Sequence, residues 1–84
     1  MLIFNTMSRK EKLLQKILAG AGTNVQMTDF ITAMKAAGFR EERQSGTSHK
    51  ILCDLKGNMM NVQPMKDGKA KPYQVKQFQK IISK

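Results

Sequence analysis

The chain has no tryptophan, and one each of tyrosine, histidine and cysteine among its 84 residues. A single cysteine, Cys53, excludes an internal disulfide and fits a reducing compartment; with no second Cys and a single His in the chain it provides no zinc site either. Phe30, Phe39 and Phe78 fall on apolar stripes, so no row of rings remains on which single-stranded bases would stack. No apolar run approaches the roughly 20 residues of a membrane span, and Leu2-Ile3-Phe4 is too short for the hydrophobic stretch of a secretory signal. A cytoplasmic protein without membrane contact is expected. There is no glycine-rich nucleotide loop, no paired carboxylate and no cluster of metal ligands, so neither cofactor nor metal is expected.

Acidic residues are scarce beside basic ones: six Asp and Glu against fifteen Lys and Arg, a net charge of +9. An excess of this size favours a polyanionic partner on electrostatic grounds. Its distribution is uneven. Met1 to Asp54 holds eight basic and five acidic residues, a net of +3, whereas Leu55 to Lys84 holds seven and one, a net of +6. The last third is therefore the expected phosphate face. Charge alone does not separate RNA from DNA, an acidic protein or an anionic membrane surface.

A hydrophobic content of 40% without low-complexity tracts predicts one globular domain over residues 1–84. Residues 1–7 carry no pattern, and Met7 is a second candidate start. Ser8-Arg9-Lys10-Glu11 has capping-box spacing, so a helix is expected over 8–19 with Leu13, Leu14, Ile17 and Leu18 as its apolar stripe. The core of the fold is expected over 24–84. A second helix runs from Met27 or Thr28 to Ala37, turning Phe30, Ile31, Met34 and Ala37 inward, with Gly38 suited to a left-handed C-cap. The period then falls towards two: strands are expected over Phe39–Gln44, His49–Leu55 and Met59–Gln63, joined by turns at 45–48 and 56–58. Because Ile51, Leu52 and Cys53 are consecutive, the face that carries His49 stays open. The loop 66–71 leads to Pro72 in the first turn of a last helix, whose stripe is Val75, Phe78, Ile81 and Ile82. The expected class is α+β with a three-stranded antiparallel sheet. Apart from the additional N-terminal helix, the order is the α-β-β-β-α of the double-stranded-RNA-binding fold.

Two constellations carry chemistry. The sole imidazole, His49, follows Gly46-Thr47-Ser48 and precedes Lys50, with Gly46 and Ser48 shaping the turn. A lone histidine after a Gly-Ser turn is ordinarily a half-exposed strand residue. In a basic chain it is also the one group able to take and give a proton near neutral pH, as cleavage of ribose phosphate requires. The second constellation is the start of the last helix, where free backbone N–H groups and the helix dipole beside Lys69 and Lys71 are expected to hold phosphate. Lys50, beside His49, and Lys76 on that helix belong to the same RNA- and phosphate-binding set. Tyr73 is the one aromatic placed to touch a nucleotide.

Gly46-Thr47-Ser48-His49, the Phe39-Arg40 segment after a helix ending at Gly38, and Val62-Gln63-Pro64 leading through a lysine loop to Tyr73-Gln74-Val75-Lys76-Gln77 resemble the HicA toxins of bacterial toxin–antitoxin systems. The likeness covers about residues 24–84. It implies a small ribonuclease that cleaves mRNA with little sequence preference, uses His49 as its functional histidine and is neutralised by a HicB-like antitoxin. There are departures. Pro64 is followed by Met65 where many members have a histidine or further basic residue, so a second imidazole for general-acid work is absent. Lys71-Pro72-Tyr73 also replaces the common Gly-Thr-Leu before the last helix. Two other readings stand beside this one: a non-catalytic RNA-binding module of the same fold, and an adaptor for an acidic protein. The oligomeric state is left open.

Overall fold

The computed structural model describes residues 8–20, 22–42 and 50–83. Its elements follow in the order α1 (Arg9–Leu18), α2 (Met27–Ala36), β1 (Arg40–Glu41), β2 (Lys50–Cys53), β3 (Met59–Val62) and α3 (Pro72–Ile82). This is an α+β chain with three helices and a three-stranded antiparallel sheet in the order β1-β2-β3. Among the described residues no helix is long and apolar enough to cross a membrane.

The capping box at Ser8 forms as its spacing requires. The Glu11 N–H donates to Ser8 Oγ at 3.2 Å, and the Ser8 N–H donates to Glu11 Oε1 at 3.0 Å. Two of the donors that a helix start leaves over are thereby satisfied. Helix α2 begins differently: Gln26 offers no side-chain cap, and the Met27 N–H donates instead to the Gly68 carbonyl at 3.0 Å. The cap is tertiary, so no local motif announces it. Helix α2 ends in a Schellman arrangement, with Gly38 at φ 103°, its N–H on the Lys35 carbonyl and the Phe39 N–H on that of Met34. A left-handed backbone there suits glycine and fixes the turn into β1.

Leu52 pairs with Met60 and Lys50 with Val62, so these four share one face of the sheet. Leu52, Met60 and Val62 are buried, whereas Ile51 and Cys53 on the other face are only half-buried. The ambiguity of three consecutive apolar residues thus resolves in favour of Leu52. Helices α2 and α3 cover the inner face. Phe78 of α3 sits edge-on to Phe30 at 5.7 Å and to Phe39 at 5.8 Å between ring centroids, joining α2, the start of β1 and α3 in one core. Helix α1 adds Ile17 to that core and is tied to α3 where Gln79 Nε2 donates to the Ile17 carbonyl at 2.7 Å. The observed strands are shorter than the periodicity predicts, β2 spanning Lys50–Cys53 and β3 Met59–Val62. Of the expected strand over 39–44, Arg40–Glu41 is paired; residues 43–49 lie outside the described residues.

Candidate nucleic-acid interface

The register of β2 against β3 determines which basic residues meet. Lys50 opens β2 opposite Val62, the last residue of β3, so the start of β2 and the departure point of the 63–71 loop lie at the same end of the sheet. His49, Gly46 and Ser48, which the sequence nominates as catalytic group and turn, lie outside the described residues. Lys50, the chain neighbour of His49, lies inside them, at the head of β2.

The loop is held on both sides. Pro64 bridges Ala70, the Met65 N–H donates to the Lys69 carbonyl at 2.9 Å, and Asp67 Oδ1 accepts from the Lys69 N–H at 3.0 Å. The Ala70 N–H donates to the Val25 carbonyl at 2.8 Å, and Ala70 is buried. In this extended stretch Lys69 and Lys71 flank Ala70 and point away from the core side. They are not equivalent. The Lys69 ammonium donates to the side-chain oxygen of Asn24, a residue held at φ 61° in the connection between α1 and α2. Lys71 is the N-cap of α3, its Nζ 6.0 Å from the centre of the Tyr73 ring.

The start of α3 offers fewer donors than its dipole alone implies. Pro72 has no N–H, and the N–H groups of Gln74 and Val75 both donate to the Lys71 carbonyl, at 2.9 and 3.2 Å. Only the Tyr73 N–H has no acceptor among the described residues. The stronger feature is the outer face of the helix. Tyr73, Lys76, Gln77 and Lys80 recur at i, i+3, i+4 and i+7 and are all exposed, Tyr73 at 63%. No acidic residue occurs in α3. Lys71 and Lys76 are the phosphate residues expected from the sequence at this helix, and Lys80 lies one turn beyond Lys76 on the same exposed face.

A third group of charges lies on the other side of Lys50. Its Nζ is 3.5 Å from Glu41 Oε2, and Lys35 Nζ is 3.4 Å from Glu41 Oε1. Partial withdrawal from water works to raise the Glu41 carboxyl, but the two ammonium groups outweigh it and hold the group below the usual carboxylate range. Neither Lys35 nor Glu41 stands out in sequence, because their meeting depends on the Gly38 turn that folds β1 back beside α2. Among the described residues no group of three or more His, Cys, Asp or Glu is placed to hold a metal ion.

Comparison with family models, with curated proteins and with solved structures returns no match to this chain.

Proposed function

We propose that the chain is a HicA-like toxin, a metal-independent endoribonuclease that cleaves mRNA with low sequence preference and is neutralised by a HicB-like protein. The observation that carries this reading is the Lys50–Val62 register, which brings the residue after His49 to the end of the sheet where Lys66, Lys69 and Lys71 leave β3. A nuclease of this kind needs its proton acceptor beside cations that hold the scissile phosphate. The α2-β1-β2-β3-α3 order, with the sheet antiparallel and in sequence order, supports the double-stranded-RNA-binding-like topology that the resemblance implies.

In this mechanism His49 takes the proton of a ribose 2′-hydroxyl as that oxygen attacks the adjacent phosphorus. The bond to the 5′ oxygen breaks, leaving a 2′,3′-cyclic phosphate, and water or a lysine protonates the departing oxygen. Lys50 and Lys71 stabilise the negative charge that builds on the phosphoryl oxygens, and the exposed face of α3, including Lys76, tracks the RNA backbone.

The test is His49→Ala, assayed for RNA cleavage, RNA affinity and unfolding midpoint on purified protein. Cleavage and growth inhibition should vanish while affinity and midpoint stay near wild type; cleavage at the wild-type rate overturns the assignment. Wild-type cleavage should persist in EDTA, and recovery only on adding Mg²⁺ overturns metal independence. A wild-type protein that binds RNA without cutting it establishes the second reading, a non-catalytic RNA-binding module. The Tyr73, Lys76, Gln77 and Lys80 face favours that reading, since it fits a nucleic-acid backbone and contains neither a histidine nor a carboxylate.

A further inference from the structure

Glu41 on β1 pairs across the sheet with Leu52, which places it diagonally from Lys50 on the same face, and the last turn of α2 brings Lys35 to it from the helix layer. Each oxygen of the one carboxylate faces a different ammonium, Oε1 to Lys35 at 3.4 Å and Oε2 to Lys50 at 3.5 Å. The group is not buried: the side chains of Lys35, Lys50 and Glu41 are 49%, 37% and 28% exposed. It carries one net positive charge, and each ammonium has three donors, of which the carboxylate engages only part.

A phosphodiester, like a carboxylate, shares its negative charge over two terminal oxygens. The two cations are therefore spaced for an anion of that shape, and the seat between them is taken by one that belongs to the protein. We infer that Lys35 and Lys50 form a phosphodiester-binding pair with Glu41 as its built-in counter-anion, which an RNA phosphate displaces. The inference rests on the RNA-binding part of the proposed function and extends the phosphate surface from the 63–71 loop to α2. Glu41 acts here through the two lysines, as a positioning and competing group, and takes no part in proton transfer.

Removing the carboxylate frees both cations. Glu41→Gln should bind a 12-residue oligouridylate about fivefold more tightly at low salt, the size expected for release of two exposed ion pairs. Its plot of log affinity against log salt should steepen by roughly 1 to 2 units, one for each freed ammonium. Lys35→Ala or Lys50→Ala added to Glu41→Gln should each remove about half of that gain. Glu42→Gln is the control, because it makes the same change in net charge one residue away and its carboxylate meets no cation among the described residues. In wild-type protein, saturating oligouridylate should raise the carboxyl pKa of Glu41, followed by carbon-13 NMR, towards the ordinary carboxylate value; a purely structural ion pair would not respond. Unchanged or weaker binding by Glu41→Gln, or an equal gain in Glu42→Gln, overturns the inference while leaving the RNA-binding reading intact. No binding by wild type and all variants overturns both.

Discussion

Gln74 of α3 supplies Asn61 of β3 with the partner that a further strand would otherwise provide. Its Nε2 donates to the Asn61 carbonyl at 2.7 Å while its Oε1 accepts the Gln63 N–H at 3.3 Å, so one carboxamide bridges a carbonyl and an amide two residues apart, as the N–H and C=O of one residue in a parallel strand would. Gln74 is 5% exposed and is the one buried polar side chain among the described residues. Strand β3 is an edge of the sheet, and this contact both closes the edge and fixes the first turn of α3 at the end where the basic loop departs.

Replacing that amide should show its worth. Gln74→Ala removes both hydrogen bonds of a buried side chain and should cost about 1–3 kcal/mol. Gln74→Glu should cost more at neutral pH, since a carboxylate oxygen would face the Asn61 carbonyl where Nε2 now donates. The new carboxyl would be buried beside an acceptor, so its folded pKa would be raised above its unfolded value of about 4.3. The penalty is then complete above the folded pKa and relieved as pH falls to the unfolded value, where a protonated oxygen can donate to Asn61. Urea midpoints of the three proteins at acid and neutral pH decide the matter; a Gln74→Glu protein as stable as wild type at pH 7 would refute the clip.

The β2–β3 hairpin makes the opposite acid response. Asp54 Oδ1 accepts the N–H groups of Lys56 and Asn58 at 3.0 and 2.8 Å, and Oδ2 accepts Asn58 Nδ2 at 2.9 Å. The Asn58 side-chain hydrogen bond, ahead of the backbone N–H groups and the Lys56 charge, holds the Asp54 carboxyl below its ordinary value, with partial withdrawal from water opposing. A depressed folded pKa stabilises above the unfolded value of about 4 and loses that contribution as pH falls through the folded value. Asp54→Ala should therefore lower the melting temperature at pH 6, and the gap to wild type should shrink steadily below about pH 4. A gap that stays constant down to pH 2 would contradict this account.

In the core, Phe78→Leu keeps an apolar side chain but gives up two edge-to-face contacts, with Phe30 and Phe39. Each such pair contributes about 0.5–1.5 kcal/mol beyond area, so a loss of about 1–3 kcal/mol is expected. Phe78→Ala should cost about 3–5 kcal/mol, a large share of what a domain of this size possesses. Chemical denaturation followed by circular dichroism measures both. A loss in Phe78→Ala no greater than that of Ile82→Ala, at a half-buried position, would mean that the three rings are not the centre of the core.

Much of the fold was legible because its determinants are local. Ser8 with Glu11, Gly38 after Ala37, Pro72 at the start of α3, and the stripes through Ile17, Phe30 and Phe78 all act within a few residues of themselves. What could not be read depends on segments distant in sequence. The cap of α2 is Gly68, the partner of Lys69 is Asn24, and Glu41 gathers Lys35 and Lys50 only once α2 has turned back on β1. The strands come out shorter than alternation predicts because the two-residue pattern continues where the β2–β3 ladder stops, as at Gln63, whose N–H meets the side chain of Gln74. The sequence marks His49 by chemistry and by its position after Gly46 and Ser48; its chain neighbour Lys50 is the described residue nearest to it, at the end of the sheet where the basic loop departs.

The basic surface itself can be divided by salt. Each lysine that neutralises a phosphate releases condensed counterion and contributes about 0.7–0.9 to the slope of log affinity against log salt. Lys76 and Lys80 are exposed on the outer face of α3, and Lys71 at its N-cap is half-exposed, whereas the Lys69 ammonium is committed to Asn24. Lys71→Ala/Lys76→Ala should therefore flatten the slope by roughly 1 to 2 units and weaken all RNAs alike, with little change in unfolding midpoint. Lys69→Ala should flatten it by less than one unit and instead lower the midpoint, because it unties the loop from the connection that precedes α2. Lys69→Ala/Lys71→Ala should fall between these in slope, at roughly one unit, while sharing the stability loss. In all three, single-turnover cleavage at saturating RNA should fall less than in His49→Ala, since His49, the proton acceptor of the proposed mechanism, is untouched. A slope reduced by Lys69→Ala as much as by Lys71→Ala would mean that RNA takes Lys69 away from Asn24. An unchanged slope in Lys71→Ala/Lys76→Ala would move the phosphate track off α3.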